Sequence, residues 1–227
     1  MAVLAFDTAT ASTVVGLLAA DGSLVEARHD PPLGGRPEHA SRLLPLVHEV
    51  VEDWDAVERI AVGTGPGSFT GLRIGVATAR ALAQARGVPL VGVSTLAVLA
   101  RRLATEFEGT SLAVLDARRG EAYAAAWRGG EAALAPAALR PDALAERAAA
   151  LPPPVRAAGD GSVHFRDELQ AAGAEVPDDS SALHRISART LCETAAEAAE
   201  DRPGTVLPDY LRLPDAEIAY RKRTPTP

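Results

Sequence analysis

The amino-acid sequence predicts an α/β protein of two similar domains. Apolar strands alternate with amphipathic helices between residues 38 and 103, and strands joined in a meander, followed by helices, are predicted twice along the chain. At 227 residues the chain exceeds the common size of one domain, so two domains are favoured. Each domain is therefore expected to be a mixed sheet with an antiparallel meander and covering helices.

Apolar periodicity and turn residues mark the elements of the first half. A strand at residues 2–6 continues into strands at 12–19 and 23–29 as an antiparallel meander. A helix is predicted at 38–54, where six apolar side chains recur at three- and four-residue steps. Strands at 59–63 and 90–93 then alternate with helices at 71–86 and 95–103.

The second half repeats this order. We predict domains at residues 1–102 and 103–213, followed by a mobile tail at 214–227 that has few apolar side chains to bury. The elements expected in the second domain are strands at 112–116 and 121–127, a helix at 141–151, a strand at 155–158, and helices at 163–172 and 187–199.

Charge and composition narrow the functional classes. The net charge is −7, and 22 of the 23 basic residues are arginines because Lys222 is the only lysine, which argues against a protein that binds nucleic acid unaided. The single Cys192 excludes an internal disulfide and a multi-cysteine zinc site. No apolar run approaches the ~20 residues of a membrane span, so no membrane contact is expected and the chain is predicted to be cytoplasmic.

A glycine-rich run at residues 63–75, GTGPGSFTGLRIG, joins a strand to a helix that Ser68 and Thr70 can cap. Ser68 follows Gly67 without the lysine of a P-loop, and Thr70 stands where a dinucleotide fingerprint that starts at Gly65 needs glycine. The run can therefore be a turn with a helix cap, a contact for another protein, or a weak phosphate site.

Asp7 and Thr8 end the first strand, where a hairpin could meet a Mg²⁺-bound phosphate as in actin-like and sugar-kinase-like ATPases. Side chains of these types also commonly bind the backbone of a turn, which is the alternative reading. Together with Gly65, Gly67 and Ser68, they are the candidate nucleotide or loop contacts.

Other catalytic arrangements fail at particular residues. His39 and His48 are nine positions apart, about 900° around a helix, so they lie on opposite faces and cannot share a metal. Ser68 lacks the G-x-S-x-G elbow of a hydrolase, and no cationic residue adjoins Cys192 to activate it. We predict no catalytic residue and no metal ligands.

The predicted helix at 71–86 is apolar around most of its circumference. It is either buried among its own neighbours or forms a subunit interface together with the helix at 38–54. The candidate interface residues are Leu43, Val47, Leu72, Gly75, Val76, Ala79 and Leu82.

Six stretches resemble the TsaB (YeaZ) family. The likeness covers the first 127 residues well, whereas residues 130–200 match only in general layout. The stretches are LAFDTAT at 4–10, EHASRLLPLV at 38–47, GTGPGSFTGLRIGVA at 63–77, VGVSTL at 91–96, LDARRGEAY at 115–123 and PDYLR at 208–212.

The resemblance implies two domains of the actin, sugar-kinase and Hsp70 type. It also implies a non-catalytic subunit that pairs through its N-terminal-domain helices with the catalytic subunit TsaD, joined by the ATPase TsaE. Together these proteins transfer a threonylcarbamoyl group to N6 of the adenosine beside the anticodon of tRNA. TsaD holds its metal through an HxxxH motif, but here Leu43 stands four residues after His39.

The same resemblance implies no cofactor of its own, with ATP and a divalent metal on the partner subunits. A homodimer is expected when the chain is alone, and tRNA is expected to be reached only through the complex. The alternative function is weak nucleotide binding or ATPase activity of the actin-like type. A further hypothesis is that the basic tail at residues 221–223 touches tRNA within the assembly.

Overall fold

The computed structural model describes residues 1–32, 35–201 and 204–212. Its first sheet contains β1 (Val3–Asp7), β2 (Thr13–Leu18), β3 (Leu24–His29), β4 (Arg59–Gly65) and β5 (Leu90–Ser94). The strand order is β3-β2-β1-β4-β5. β1, β2 and β3 are antiparallel, whereas β4 and β5 continue the sheet in parallel from β1.

The second sheet contains β6 (Thr110–Arg118), β7 (Glu121–Arg128), β8 (Glu131–Leu139), β9 (Val155–Ala158) and β10 (Ala174–Glu175). Its order, β10-β9-β6-β7-β8, again places an antiparallel meander beside parallel strands. The prediction of two similar α/β units with mixed sheets is confirmed.

Helices cover both sheets. α1 and α2 pack on the outer face of the first sheet, and α4 and α6 pack on the outer face of the second. We call each sheet with its outer helices a lobe. The helices are α1 (His39–Val50), α2 (Phe69–Arg86), α3 (Thr95–Ala104), α4 (Pro141–Ala149), α5 (Asp160–His164), α6 (Arg166–Ala171) and α7 (Ala188–Glu197).

The two lobes share a hydrophobic core. Alternate residues of a strand face opposite sides, so Leu4 and Phe6 point to the outer helices while Val3 and Ala5 point inward. The inward side chains of both sheets meet α3, which contacts strands of each lobe. The predicted domain boundary after residue 102 falls within α3, and the domain limits stay a prediction.

The position of α7 could not be read from its place in the sequence. It follows the second sheet in the chain, yet it packs against β1 and β2 of the first. The guanidinium of Arg59 donates hydrogen bonds of 2.8 Å and 3.0 Å to the carbonyls of Ala195 and Ala198 at the end of α7. These bonds satisfy carbonyls that the helix leaves without partners, and they fix α7 to the first lobe.

Most predicted elements are present, with three differences. The helix predicted at 38–54 ends at Val50, and the helix predicted at 163–172 is two short helices, α5 and α6. β8 and β10 were not predicted. β8 is rich in alanine and contains Pro136, so it lacks the β-branched residues that signal a strand. The predicted tail at 214–227 lies outside the described residues. Within the described ranges, none of the helices is long and apolar enough to span a membrane.

Candidate functional site

The glycine-rich run forms the corner between β4 and α2. Ser68 is the N-cap of α2, and its hydroxyl accepts a hydrogen bond of 3.3 Å from the Gly71 amide. Thr70 lies inside the first turn, so Ser68 alone has the predicted capping role. Gly87, at φ 67°, ends the helix in the left-handed conformation that glycine adopts most readily.

Four glycines of this run, spaced four residues apart, pack against the segment that follows β1. A Cβ at Gly63 would overlap the Asp7 carboxylate, and one at Gly67 would lie 2.7 Å from the Cβ of Ala9. The backbone of the run thus approaches the β1–β2 hairpin more closely than any side chain would allow.

The same close approach continues into α2. A Cβ at Gly71 would overlap the Thr8 carbonyl oxygen, and one at Gly75 would overlap the Thr8 hydroxyl. That hydroxyl donates a hydrogen bond of 2.8 Å to the Gly71 carbonyl. The glycines therefore dock α2 and its loop onto the hairpin, so two motifs that were considered separately form one packed unit.

Asp7 is held inside this unit. It is 1% exposed and accepts hydrogen bonds of 2.7 Å from the Ala9 amide and from the Thr95 hydroxyl. Burial raises the pKa of the Asp7 carboxyl, although both hydrogen bonds oppose the rise. Thr8 is also fully buried. Neither side chain lines either of two hollows of the described structure, and both bind neighbouring groups; a nucleotide contact for them stays a prediction.

A cleft of about 540 Å³ opens between the lobes. From the first lobe it is lined by the β1–β2 hairpin and by Gly67 and Ser68, while Asp7, Thr8 and Gly65 are not among its lining residues. From the second lobe Asp116, Arg118 and Asp160 line it. The volume lies in the usual range for small ligands, and nucleotide binding at Gly67 and Ser68 stays a prediction.

The second-lobe side of the cleft was not predicted from sequence. The Asp116 carboxylate accepts a hydrogen bond of 2.7 Å from the Arg118 amide and approaches its guanidinium at 3.1 Å. Asp160 accepts a hydrogen bond of 3.0 Å from the Asp116 amide. Arg118 and Arg119 both have positive φ, at 64° and 57°, which is uncommon outside glycine. The sequence signals here were the turn before Gly120 and the family-like stretch LDARRGEAY at 115–123.

Six of the seven candidate interface residues face the chain's own core. Leu82 is partly buried, and four of the others pack in the core on the outer face of the first sheet. Leu72 is fully buried over Gly65, and Gly75 approaches the Thr8 hydroxyl. A partner could not touch those six without opening the fold, so any interface must use other positions. The buried six are Leu43, Val47, Leu72, Gly75, Val76 and Ala79.

The solvent side of α2 forms an uncharged strip. Its members recur at three- and four-residue steps, which places them on one side of the helix, opposite the buried positions. Four are exposed and two are partly buried. We define the α2 strip as Thr70, Ile74, Ala77, Thr78, Ala81 and Ala85.

The two flanks of the α2 strip differ. On one side lies α1, whose Leu44 is 55% exposed. Glu38, just before α1, approaches His29 of β3 at 3.5 Å, so this side of α1 faces β3. Leu44 lies on the other side, toward α2. The opposite flank of α2 carries Arg73, which contacts residues 204–212, a segment we call the strap.

His39 has no second metal-binding side chain one helical turn later in α1. It is 3% exposed, its Nδ1 lies 2.8 Å from the Thr13 hydroxyl, and burial lowers the pKa of its imidazole. Leu43, one turn later, is buried in the core. Across the described ranges, no three His, Cys, Asp or Glu side chains are grouped to hold a metal ion.

Comparison with known proteins identifies the family of the chain. A family model described as "TsaD: tRNA N6-adenosine threonylcarbamoyltransferase" matches residues 31–220. The solved structure of YeaZ from Pseudomonas aeruginosa is 30% identical, with a TM-score of 0.72, over 92% of this chain and 99% of that one. The chain belongs to the TsaB/YeaZ family. The prediction from the six motif stretches is thereby confirmed.

Two curated relatives extend the comparison. The Escherichia coli tRNA threonylcarbamoyladenosine biosynthesis protein TsaB is 38% identical over 65% of this chain and 66% of its own length. The Bacillus subtilis TsaB is 37% identical over 54% of this chain and 53% of its own length. The matched regions therefore span less than two thirds of these relatives.

The wider fold is that of sugar kinases. A ROK hexokinase from Thermus thermophilus superposes with a TM-score of 0.51 over 86% of this chain and 99% of that one, at 13% identity. At this identity the likeness concerns the fold alone, and it confirms the predicted actin and sugar-kinase architecture.

Proposed function

We propose that the chain is a non-catalytic subunit required for threonylcarbamoyl transfer to N6 of the adenosine beside the anticodon in tRNA. It acts by pairing with a TsaD-like catalytic subunit. Support comes from the family, whose members in Escherichia coli and Bacillus subtilis are named for the biosynthesis of this modified nucleoside. The assembly supplies the contact with tRNA, because a chain of net charge −7 is poorly suited to bind it alone.

The observation that carries the pairing proposal is the α2 strip. It is an exposed helix face without a charged side chain, and the exposed Leu44 of α1 lies beside it. The cores of protein interfaces are depleted in charged residues, and small side chains let two helices approach closely. The strip therefore has the composition expected of a helix that packs against a helix of another subunit.

The family comparison supports the identity of that partner. A model named for the transferase matches 190 residues of this chain, residues 31–220, a range that includes both α1 and α2. A transferase with this fold would carry helices equivalent to α1 and α2. Two related subunits can then pair through equivalent surfaces, as the halves of a symmetric dimer do, and a homodimer of this chain alone would use the same surface.

The placement of the candidate catalytic residues argues for a supporting role. Asp7 and Thr8 are engaged by neighbouring backbone and side chains, and Leu43 occupies the position of the second histidine in the HxxxH motif. ATP and a divalent metal are accordingly assigned to the TsaD-like subunit and to a TsaE-like ATPase. The chain itself is given no cofactor.

Reconstitution tests the function. Purified TsaD-like and TsaE-like subunits, ATP, an enzyme that supplies threonylcarbamoyl-adenylate, and unmodified tRNA are combined with and without this chain. We expect nucleoside analysis to find the modified adenosine only when the chain is present. Equal modification in its absence would overturn the proposal, and modification by this chain without the TsaD-like subunit would make it an enzyme.

A further inference from the structure

The strap, residues 204–212, runs along the flank of α2 that faces away from α1. The Arg80 guanidinium of α2 donates a hydrogen bond to the Gly204 carbonyl at the start of the strap. Val206 is 4% exposed and joins the core beneath α2. The Asp209 amide donates a hydrogen bond of 2.7 Å to the carbonyl of Thr64 in β4. The strap is thus fixed to the first lobe along its length.

An aromatic and cationic cluster holds the strap at the N-terminus of α2. The ring centroids of Tyr210 and Phe69 are 5.1 Å apart, and the Arg73 Cζ lies 3.7 Å from the Phe69 centroid. Arg73 Nε also donates a hydrogen bond of 3.0 Å to the Tyr210 hydroxyl. These contacts fix the orientation of Tyr210 before any partner arrives.

The far end of the strap reaches the second lobe. Leu211 packs against the core shared by the lobes, and Arg212 forms an ion pair of 3.0 Å with Glu121 of β7. A segment anchored at both lobes loses little further freedom when a partner binds it. Its exposed side chains are therefore pre-organised for binding.

Despite these anchors, the strap leaves large apolar groups in solvent. Leu207 is 60% exposed and Tyr210 is 40% exposed. Together with Leu44 of α1, they are three of the five exposed large hydrophobic side chains in the described part of the chain. Arg80 and Arg73 of α2 bind Gly204 and Tyr210, so the strap lies along the flank of the α2 strip opposite α1. Tyr210 and Thr70 of the strip also line the cleft between the lobes.

We propose that the strap is part of the docking surface, and that the TsaD-like subunit contacts Leu207 and Tyr210 as well as the α2 strip. This inference rests on the proposed function and deepens it. Continuity with the α2 strip assigns the occupant, because a subunit broad enough to cover α1 and α2 would also cover the adjacent strap. Rigid apolar and aromatic anchors are the residue types that dominate binding energy in interfaces.

The test compares three variants that each place one negative charge on an exposed site. Leu207→Glu alters the strap, Ala81→Glu alters the α2 strip, and Val25→Glu, on the edge strand β3, is the matched control. Affinity for the purified TsaD-like subunit is measured by isothermal titration calorimetry. Sedimentation velocity of each variant alone reports self-association, and thermal melts verify folding.

We expect Leu207→Glu and Ala81→Glu each to raise the Kd for the TsaD-like subunit at least about tenfold, and Val25→Glu to leave this Kd unchanged. If Ala81→Glu weakens binding while Leu207→Glu does not, the strap proposal is wrong and the proposed function stands. If neither affects binding, the α2 docking surface itself is wrong. A Leu207→Glu effect on self-association alone would assign the strap to a second copy of this chain and contradict the proposal.

Discussion

The two lobes share a topology but differ in the helices that cover their outer faces. α2 is 18 residues long and exposes an uncharged strip, whereas α4 and α6 are 9 and 6 residues long. The exposed positions of the shorter helices include Asp142, Glu146, Arg147 and Asp167. Charged surfaces are typical of helix faces that stay in water, while an uncharged strip indicates a partner. The difference between the two lobes supports the proposed docking on the first.

The hairpins that follow β1 and β6 differ in the exposure of the aspartate near their start. Asp7 of the first lobe is buried and bonded to its neighbours, whereas Asp116 of the second lobe lines the cleft. A carboxylate near the end of the first strand of each sheet thus has a packing role in one lobe and a solvent-facing role in the other. In the first lobe the carboxylate is part of the packed unit that supports α2, whereas in the second lobe it is accessible from the cleft.

The largest expected effect concerns the packing of the glycine run against the β1–β2 hairpin, which supports α2. Gly71→Ala would place a Cβ against the Thr8 carbonyl oxygen, a backbone atom that cannot rotate away as a side chain can. We expect this variant to lower the free energy of unfolding by more than about 3 kcal/mol. Gly161→Ala in the second lobe, whose Cβ would lie 2.6 Å from the Leu115 carbonyl carbon, should cost less. Urea denaturation of both variants measures the difference.

Gly22→Ala is the control for these glycines. It has a positive φ of 85° but open space around its Cβ, so only the backbone conformation opposes the alanine, at about 1–2 kcal/mol. If Gly71→Ala is no worse than Gly22→Ala, close packing of the glycine run against the hairpin does not hold α2.

The next effect concerns the attachment of α7 to the first lobe. Arg59→Met would remove the hydrogen bonds to the α7 carbonyls from a side chain that is only 9% exposed. We expect a loss of about 2–3 kcal/mol in the free energy of unfolding, because buried bonds to a charged donor are stronger than neutral ones. Chemical denaturation provides the measurement.

Arg101→Met is the matched comparison. Arg101 of α3 pairs with Glu197 of α7, but the Arg101 side chain is 38% exposed, so its removal should cost less than about 1 kcal/mol. Equal losses for Arg59→Met and Arg101→Met would mean that capping of α7 by Arg59 contributes nothing special.

The smallest expected effect is the pH dependence that Asp7 gives to the first lobe. Burial raises the pKa of Asp7 above 3.8, so the folded state binds more protons than the unfolded state. The contribution of Asp7 to stability should therefore be largest below pH 3.8 and fall as the pH rises through the folded-state pKa. The stability of the wild type relative to Asp7→Asn, measured by denaturation across this range, should decline with pH.

Asp21→Asn is expected to give the opposite slope. The Ser23 hydroxyl, followed by the Ser23 amide, lowers the pKa of Asp21, so its favourable contribution is lost as the pH falls through that pKa. Slopes of the same sign for Asp7→Asn and Asp21→Asn would contradict the account of Asp7 as a carboxyl whose pKa is raised by burial.

Sequence reasoning succeeded where local rules decide the structure. The Ser68 cap, the end of α2 before Gly87 and the position of β9 follow from capping, turn chemistry and apolar runs within a few residues. The glycine run itself was recognised, but its role was not. Its contacts lie with Asp7 and Thr8, more than fifty positions earlier, and no local pattern reports such a contact.

The candidate interface was predicted less well for a related reason. Periodicity identifies an apolar helix face but cannot tell whether the chain's own sheet or another subunit covers it, so buried Leu72 and Ala79 were assigned to the partner. The side of α2 that we propose as the docking face instead consists of small and uncharged residues such as Ala77 and Ala81, which carry a weak hydrophobic signal. Only the fold showed which side of α2 remains in solvent.

The central claim is that a TsaD-like subunit docks on the first lobe through the α2 strip. Its most direct test is the affinity of that subunit for Ala77→Glu, compared with Ala149→Glu, which adds the same charge to an exposed alanine of α4 on the second lobe. We predict by calorimetry at least about a tenfold loss of affinity for Ala77→Glu and none for Ala149→Glu. Unchanged affinity for Ala77→Glu, or an equal loss for both, would contradict the assignment of docking to the first lobe.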